Sequence, residues 1–442
     1  MLKTVFNFLS LTVALSVTQQ LENGGKIWAF LAAGSNGYDN YRHQADVSHA
    51  FQILRKNGIP EENIIVMMYD DVANSSENPW KGVLINEPNG TNVYEGVKKD
   101  YTRDDVTPEN FLKILTGDAE GMKGIGTGRV IQSGPNDHIF VNFADHGSVG
   151  FLVFPNGELY AQDLEKAFLK LVDNKKFSKM VVYIEACESG SMFEHLLPDN
   201  ENIFVVTAAD PHESSYAWCM YGPLNTFLGD VFSVNWMHDV EQTNLLQASL
   251  HHIFEEVRYE TNTSHVEEYG DLNLGSMRAA DFMGFTDHHK QPSPLPTEGC
   301  EQMLRVPSRH VPLAILQSKL ERAQNREERN NIKFHIHRVV KMRRGLDETV
   351  RKVLKVAAEG DVTSVVRLER TKHSLTRTNM HCYKRLVTKF SDMCFKLSEN
   401  PYALQRVPVF LNVCEEQHPS EEAVINAMEH VCSSKIKLTG VV

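Results

Sequence analysis

Residues 179–190 read KMVVYIEACESG. Met180, Val181, Val182, Tyr183 and Ile184 form a continuous apolar, partly β-branched run, the pattern of a strand buried on both faces. The run breaks at Glu185-Ala186-Cys187-Glu188-Ser189-Gly190. A cysteine just past the C-terminal end of such a strand, followed by small residues, stands where open α/β sheets build their sites. Free cysteine is also among the most buried residue types, so Cys187 taken alone reads more simply as a small core hydrophobe.

Residues 137–147, DHIFVNFADHG, repeat the pattern. Ile139, Phe140, Val141 and Phe143 form a second short strand, and Asp145-His146-Gly147 follow its end. Two strands of one parallel sheet would deliver His146 and Cys187 to the same edge. A thiol beside an imidazole is a nucleophile with its base: the ring helps form the thiolate and later protonates the leaving amine. Two strand-end residues of complementary chemistry are harder to dismiss as structural than either alone.

Strands alternate with helices around these two. Lys26–Ala33 reads as a first strand, Tyr41–Asn57 as a helix ended by Gly58-Ile59-Pro60, and Asn63–Tyr69 as a second strand, a right-handed βαβ start. Residues 70–134 are long and polar, with one clear helix start where Thr107 caps and Pro108 takes the first position. A hairpin joins Gly150–Phe154 to Glu158–Tyr160 through Pro155-Asn156-Gly157. Gln162–Val172 and Leu245–Glu260 read as helices and Asn202–Ala208 as a further strand. The expected class is α/β, a mostly parallel sheet flanked by helices. Residues 287–312 are rich in Pro, His and Ser and read as a linker. Beyond Leu316 only helix-period segments follow, over 316–333, 334–342, 346–358, 362–370, 383–395, 402–414 and 421–432, an all-α second domain.

A chain of 442 residues, 42% apolar and 23% charged, has material for two or three domains with ample core. The formal net charge of −12 is uneven, because residues 305–389 carry 21 Lys and Arg against 8 Asp and Glu. That leaves about +13 there and about −25 elsewhere. A basic segment tethered to an acidic body suggests intramolecular docking rather than nucleic-acid binding. Within Met1–Gln20, Lys3 precedes an apolar run from Val5 to Val17, a rather polar secretory signal peptide. No later run is long enough to span a bilayer.

Cys382, Cys394, Cys414 and Cys432 cluster near the C-terminus, while Cys187, Cys219 and Cys300 lie apart. Four cysteines in a short helical tail of a secreted chain read as two disulfides with three possible connectivities. Sequons at Asn74, Asn89 and Asn262 agree with secretion. Neither CxxC nor HExxH occurs, so no metal and no cofactor is expected.

GSNGYDNYRHQAD (Gly34–Asp46), VMMYDD (Val66–Asp71), NEPNGTNVYEGVKKDYT (Asn86–Thr102), DHGS (Asp145–Ser148), YIEACESGSM (Tyr183–Met192) and ESSYA (Glu213–Ala217) together resemble the legumain, or asparaginyl endopeptidase, family in proenzyme form. The resemblance covers essentially the whole mature chain, and the C-terminal helices resemble the family's prodomain. It implies a caspase-like catalytic domain with Cys187 as nucleophile, His146 as its partner and Asn36 supporting the histidine. Backbone N–H groups of Gly147 and Cys187 would form the oxyanion hole. Arg42, Glu185 and Asp230 match the specificity pocket, with Ser215 at its wall. Asp145 matches the residue that the family associates with succinimide formation and peptide ligation. Asn325 matches the self-cleavage position, and Asn23 is a candidate N-terminal cut site. The prodomain likeness implies the pairs Cys382–Cys414 and Cys394–Cys432.

An asparagine side chain offers one acceptor and two donor hydrogens at nearly fixed positions, so its pocket needs a cation and a carboxylate together. Arg42 would donate to the amide oxygen and Asp230 accept from the amide nitrogen. An aspartate substrate would be accepted only when protonated, in acid. The expected division is a signal peptide over 1–18, a short propeptide over 19–25, the catalytic domain over 26–286, a linker or activation peptide over 287–325 and the helical prodomain over 326–442. The implied partners are peptides with exposed asparagine, the chain's own prodomain as inhibitor, and cystatin-type inhibitors. Location is expected along the secretory pathway, in a lysosomal or vacuolar compartment or outside the cell. Two rivals stand beside this reading: an uncleaved precursor acting as a non-enzymatic inhibitor or binding module, and a GPI-anchor transamidase-like enzyme. Three features depart from the family pattern: Thr116-Gly117-Asp118, where many members carry Arg-Gly-Asp; the segment Trp218–Thr226; and Cys300, which could pair with Cys219, cross-link two chains or stay free.

Overall fold

Strand β1 (Ile27–Ala33) is apolar and buried at every position, so it belongs in the middle of a sheet covered on both faces. In the computed structural model, which describes residues 21–285, 293–301, 305–433 and 440–442, it lies between two parallel neighbours, β2 (Ile64–Met68) and β3 (His138–Ala144). The signal-peptide reading falls outside the described residues. After β3 the chain makes a small antiparallel sheet of β4 (Gly147–Ser148), β5 (Phe151–Phe154) and β6 (Gly157–Tyr160). It then returns to the main sheet as β7 (Lys179–Glu185) and β8 (Ile203–Thr207). A hairpin of β9 (Tyr216–Tyr221) and β10 (Thr226–Asp230) follows, then β11 (Glu267–Gly270). The main sheet runs β11-β8-β7-β3-β1-β2, with only the edge strand β11 antiparallel. The register places Ala144 opposite Glu185, so β3 and β7 end level with each other.

Helices α1 (Tyr41–Lys56), α2 (Pro108–Leu115), α3 (Ala161–Asp173), α4 (Val231–Gln242), α5 (Leu250–Glu260) and α6 (Ala280–Met283) flank the sheet. Apolar residues of α1, α4, α5 and α6 share one core with one sheet face. The other face packs on α2, α3 and the β4–β6 sheet, and that core runs on without a break into the C-terminal helices. Thr107 caps α2 as expected, its hydroxyl accepting from the Asn110 N–H at 3.1 Å. Helix α4 and the β9–β10 hairpin carry no clear periodic signal and are absent from the sequence reading. The expected Leu245–Glu260 helix starts five residues later, at Leu250, where Ser249 caps it.

Residues 287–325 are more than a linker. Residues 305–307 form β12 (Arg305–Pro307), which pairs antiparallel with β9. Helix α7 (Val311–Arg322) follows. The expected helix over 316–333 is broken at 323–325, and its second half joins the segments 334–342 and 346–358 in one helix, α8 (Arg326–Ala357), of 32 residues, capped by Asn325 through a 2.9 Å bond from the Glu328 N–H. Gly345 lies inside it with open space around its Cα, so nothing there forces a break. Then come α9 (Val362–Arg370), α10 (Met380–Met393), α11 (Val409–Glu416) and α12 (Glu421–Cys432). The segment 402–414 splits into a short 3-10 turn and α11 because Pro408 denies an N–H to the preceding turn. Disulfides Cys382–Cys414 and Cys394–Cys432 tie α10 to α11 and α12, and Cys300 pairs with Cys219 on β9. Each such bridge contributes on the order of 2–4 kcal/mol.

Candidate active site

The level ends of β3 and β7 bring His146 and Cys187 to adjacent positions on one edge. Gly147 makes the approach possible: a Cβ there would meet the Cys187 carbonyl oxygen at 2.5 Å. The chain then turns sharply, with Glu188 in the left-handed region at φ 49°, held by its N–H donating to Glu213 O at 2.7 Å. Cys187 is buried and is the one unpaired cysteine among the described residues. Its sulfur lies 3.2 Å from Ser214 Oγ, whose own hydrogen goes to Ser215 O at 2.8 Å. The thiol therefore donates to Ser214. Burial pushes the thiol up, and Arg309 pulls it part of the way back.

His146 Nε2 lies 2.9 Å from Asn40 Oδ1. The amide oxygen can only accept, so Nε2 carries the hydrogen and Nδ1 is left as the basic nitrogen, with no hydrogen-bond partner. Burial, then the cations Arg42 and Arg309, hold the ring's pKa well below the usual histidine value. Asn36, expected in this supporting role, is not there. Its side chain is exposed, and only its backbone carbonyl takes part, accepting from Asn40 Nδ2 at 2.9 Å. Asn40 stands at the N-cap of α1 yet caps nothing, and its side chain is spent on the imidazole.

The next turn of α1 supplies the polar cavity. Arg42 is completely buried and donates from Nε to Asp230 Oδ1 at 2.8 Å, from Nη1 to Asp39 O at 3.1 Å and from Nη2 to Ser308 Oγ at 2.6 Å. Glu185 closes the same cavity, its Oε2 accepting from the N–H and hydroxyl of Ser233 at 2.9 and 3.1 Å. Ser215 Oγ lies 3.7 Å from the Cys187 sulfur. His43, absent from the sequence reading, sits at the centre: Nδ1 is 2.6 Å from Ser35 Oγ and 3.4 Å from Asp145 Oδ1, Nε2 is 3.4 Å from Asp230 Oδ2, and the ring meets His146 edge-on. Asp145 is buried with neither oxygen hydrogen-bonded, and burial pushes its carboxyl well above the ordinary range. Gly34 must be glycine beside it, since a Cβ would lie 2.6 Å from Asp145 Oδ2. Glu185 Oε1, Asp230 Oδ2 and His43 Nε2 are also without hydrogen bonds. Buried polar atoms are normally paired, so this cluster is built to receive donors and acceptors from outside.

The chain's own C-terminal half fills it. The Ser308 N–H donates to Ser215 O at 2.9 Å, continuing the β12–β9 pairing to the edge of the cavity. Arg309, buried next to Cys187, donates from Nη1 to Glu188 Oε1 at 2.9 Å and from Nη2 to Gly147 O at 2.7 Å and to Glu188 Oε2. Leu397, Pro401 and Leu404 close the cleft beside His146, and the Ser148 hydroxyl donates to Leu404 O at 2.7 Å. Neither Ser308 nor Arg309 belongs to any sequence motif, and no local pattern would have found them.

Asn325 lies at the exposed α7–α8 junction. Asn23 is exposed too, its amide donating to Asn136 O at 3.0 Å. Asn74, Asn89 and Asn262 are all exposed, with Asn262 Oδ1 accepting from Arg305. Among the described residues, one group could gather around a metal, Asp210, Glu213 and His265, with ligand atoms within 4.8 Å of one another. Glu213 is already engaged by the backbone and ring of His265 and by the Asp210 N–H. No helix among the described residues is long and apolar enough to cross a membrane.

Comparison with known proteins agrees with this geometry. Residues 27–285 match the Peptidase C13 family, and residues 334–432 match the legumain prodomain. Legumain of Mus musculus is 46% identical, over 93% of this chain and 94% of its own length. Legumain of Homo sapiens is 44% identical, over 97% and 98%. Caspase-1 from Spodoptera frugiperda superposes with a TM-score of 0.34 at 11% identity, over 60% of this chain and 92% of that one, too loose a likeness to argue from.

Proposed function

The chain belongs to the peptidase C13 family as an asparaginyl cysteine endopeptidase made as a zymogen, and from that premise we propose how its residues divide the work. Cys187 attacks the carbonyl carbon of the bond after asparagine. His146 takes the thiol proton on Nδ1 and gives it to the leaving amine, with Asn40 holding the ring through Nε2. Backbone N–H groups of Gly147 and Cys187 receive the oxyanion. Water, deprotonated by the same ring, then releases the thioester.

The substrate carboxamide oxygen takes the Arg42 Nη2 hydrogen that Ser308 holds in the precursor, and its NH₂ donates to Asp230 Oδ2 and Glu185 Oε1. Pocket carboxylates repel an ionised aspartate, so cleavage after aspartate belongs to acid pH. Asp145, poised beside His43, would serve the secondary ligase chemistry. The observation that carries this reading is the precursor's own strand. Ser308 sits on Arg42 and Ser215 while Arg309 sits on Gly147 and Glu188, so the bond between them straddles Cys187 as a scissile bond would.

Residues 26–286 are the catalytic unit, 287–325 the occluding segment and 326–442 its helical support, with Asn325 the release site. The exposed sequons and the leader-like first 18 residues favour the secretory pathway, and the resting chemistry favours an acidic lysosomal or vacuolar destination. The test is to hold the purified precursor at acid pH, sequence its new termini, and label Cys187 with an asparagine-based electrophile. Cleavage after residues other than asparagine and aspartate, or labelling elsewhere, refutes the assignment.

A further inference from the structure

Behind the pocket lies a carboxyl that the reaction as described does not use. Asp46 is one helical turn beyond Arg42 on α1, on the same face, and is completely buried. Its Oδ1 accepts from Asn86 Nδ2 at 2.7 Å, and its Oδ2 accepts from the Asp230 N–H at 3.2 Å. The Asp46 and Asp230 carboxyls lie close enough to perturb each other's ionisation. The Asn86 amide is locked in this orientation, since its NH₂ donates to Leu228 O at 2.9 Å and its oxygen faces His49 Nδ1 at 2.9 Å. The cage has no slack: a Cβ on Gly229 would meet Asp46 Oδ1 and Asn86 Nδ2 at 2.9 Å each.

We propose that Asp46 is a positioning residue of the asparagine pocket: its carboxylic O–H donates to Asp230 and fixes that carboxylate, with Oδ2 free, as the acceptor for the substrate carboxamide. The inference rests on reading Arg42 and Asp230 as that pocket. Two carboxyls in contact cannot both ionise, and their surroundings decide which keeps the proton. The charged or titratable groups facing the pair are Arg42 and His43 on α1, Glu185 at the end of β7, and the two acids themselves. Arg42 Nε binds Asp230 directly, and no cation pairs with Asp46 among the described residues. Burial and the Asp230 charge push the Asp46 carboxyl well above the ordinary range; burial raises Asp230 too, but Arg42 and the contact with Asp46 pull it back. Asp230 therefore carries the charge and Asp46 the hydrogen, and the pocket presents one acceptor instead of two competing anions.

The experiment compares full-length Asp46→Ala and Asp46→Asn with wild type. Each is opened by limited proteolysis at the exposed Asn325 junction with an unrelated protease, and active thiol is counted with iodoacetamide. KM and kcat are measured between pH 4 and 7 on paired peptides cleaved after asparagine or aspartate, with thermal melts alongside. Asp46→Ala should raise KM for the asparagine peptide about 10- to 100-fold with a smaller change in kcat, the loss of one hydrogen bond to a charged group. Asparagine at 46 keeps a neutral donor beside Asp230 and should recover most of that loss. A wild-type KM in Asp46→Ala overturns the proposal. So does a KM rise of tenfold or more in Asp46→Asn, which decides alone if the alanine variant does not fold. If wild type itself fails to prefer asparagine, the pocket reading falls instead, and the two failures are told apart.

Discussion

The Ser308 hydroxyl takes a 2.6 Å hydrogen bond from Arg42 Nη2, so the polar cavity beside Cys187 is occupied by a side chain that has no carboxamide. Asp230 Oδ2 and Glu185 Oε1 stay without hydrogen bonds behind it. On the proposed pocket, the precursor's own strand takes the substrate's place with the wrong residue in the pocket.

Supplying the right residue should turn that strand into a substrate. Ser308→Asn is expected to be cut between 308 and 309 at acid pH, giving a fragment that begins at Arg309. Ser308→Ala should not be. Mass spectrometry of the termini reads the outcome, and an intact 308–309 bond in folded Ser308→Asn would move the pocket elsewhere.

The two asparagines of the Gly34–Asp46 motif should behave unequally. Asn40→Ala removes the partner of His146 Nε2 and should lower kcat/KM roughly 10-fold, about 1–2 kcal/mol for one hydrogen bond. It should also shift the pH profile of kcat, because the ring loses its fixed tautomer. Asn36→Ala, exposed and held only through its backbone, should stay near wild type. Equal losses at both positions would contradict the placement.

Asp230→Asn removes the pocket anion that faces a substrate acid. Wild type should cleave after aspartate only as that side chain gains a proton, below about pH 5 for an ordinary carboxyl near 4. The variant should keep cleaving after aspartate at higher pH while losing affinity for asparagine. Paired peptide assays between pH 4 and 7 check both directions.

Acid release should not run through Glu188. In the closed precursor burial raises its carboxyl, outweighing the Arg309 cation. A carboxyl raised on closure binds protons more tightly in the closed state, so through this group falling pH favours closure, and that stabilisation is lost as pH rises through the raised value. Two carboxylate–cation pairs join the cap to the catalytic unit at its margin, Glu165 with Arg377 and Asp163 with Lys384. Glu188→Gln should therefore keep acid-triggered cleavage after Asn325. Asp163→Asn with Glu165→Gln should weaken docking of the cap by less than about tenfold per pair. Loss of the acid trigger in Glu188→Gln would reverse this assignment.

The strands β1, β2, β3, β7 and β8 were legible because each is an apolar run buried on both faces, a signal that needs no partner to be seen. Cys187 and His146, the proposed nucleophile and base, stood out for the same reason, as polar residues that break such runs. Helix α4 and the β9–β10 hairpin were not. Their apolar residues face several surfaces at once, so no single period dominates. Asn36 and Asn40 are four residues apart in one motif, and choosing between them needed the start of α1. The break expected inside 334–346 did not occur because Gly345 alone cannot end a helix that α7 and α12 pack against.

By itself the sequence determined the alternation of strands and helices, the edge that carries Cys187 and His146, and the family whose chemistry they serve, since buried runs and the residues that interrupt them are local properties. Which side chain holds the imidazole, that Cys300 closes on Cys219, and that Ser308 and Arg309 fill the cleft were decided only by the tertiary structure. Those contacts join residues from about 80 to more than 250 positions apart, or choose between two like residues of one turn. Their partners are set by how the sheet edge, the hairpin and the helical cap meet in space, and no local pattern encodes that meeting.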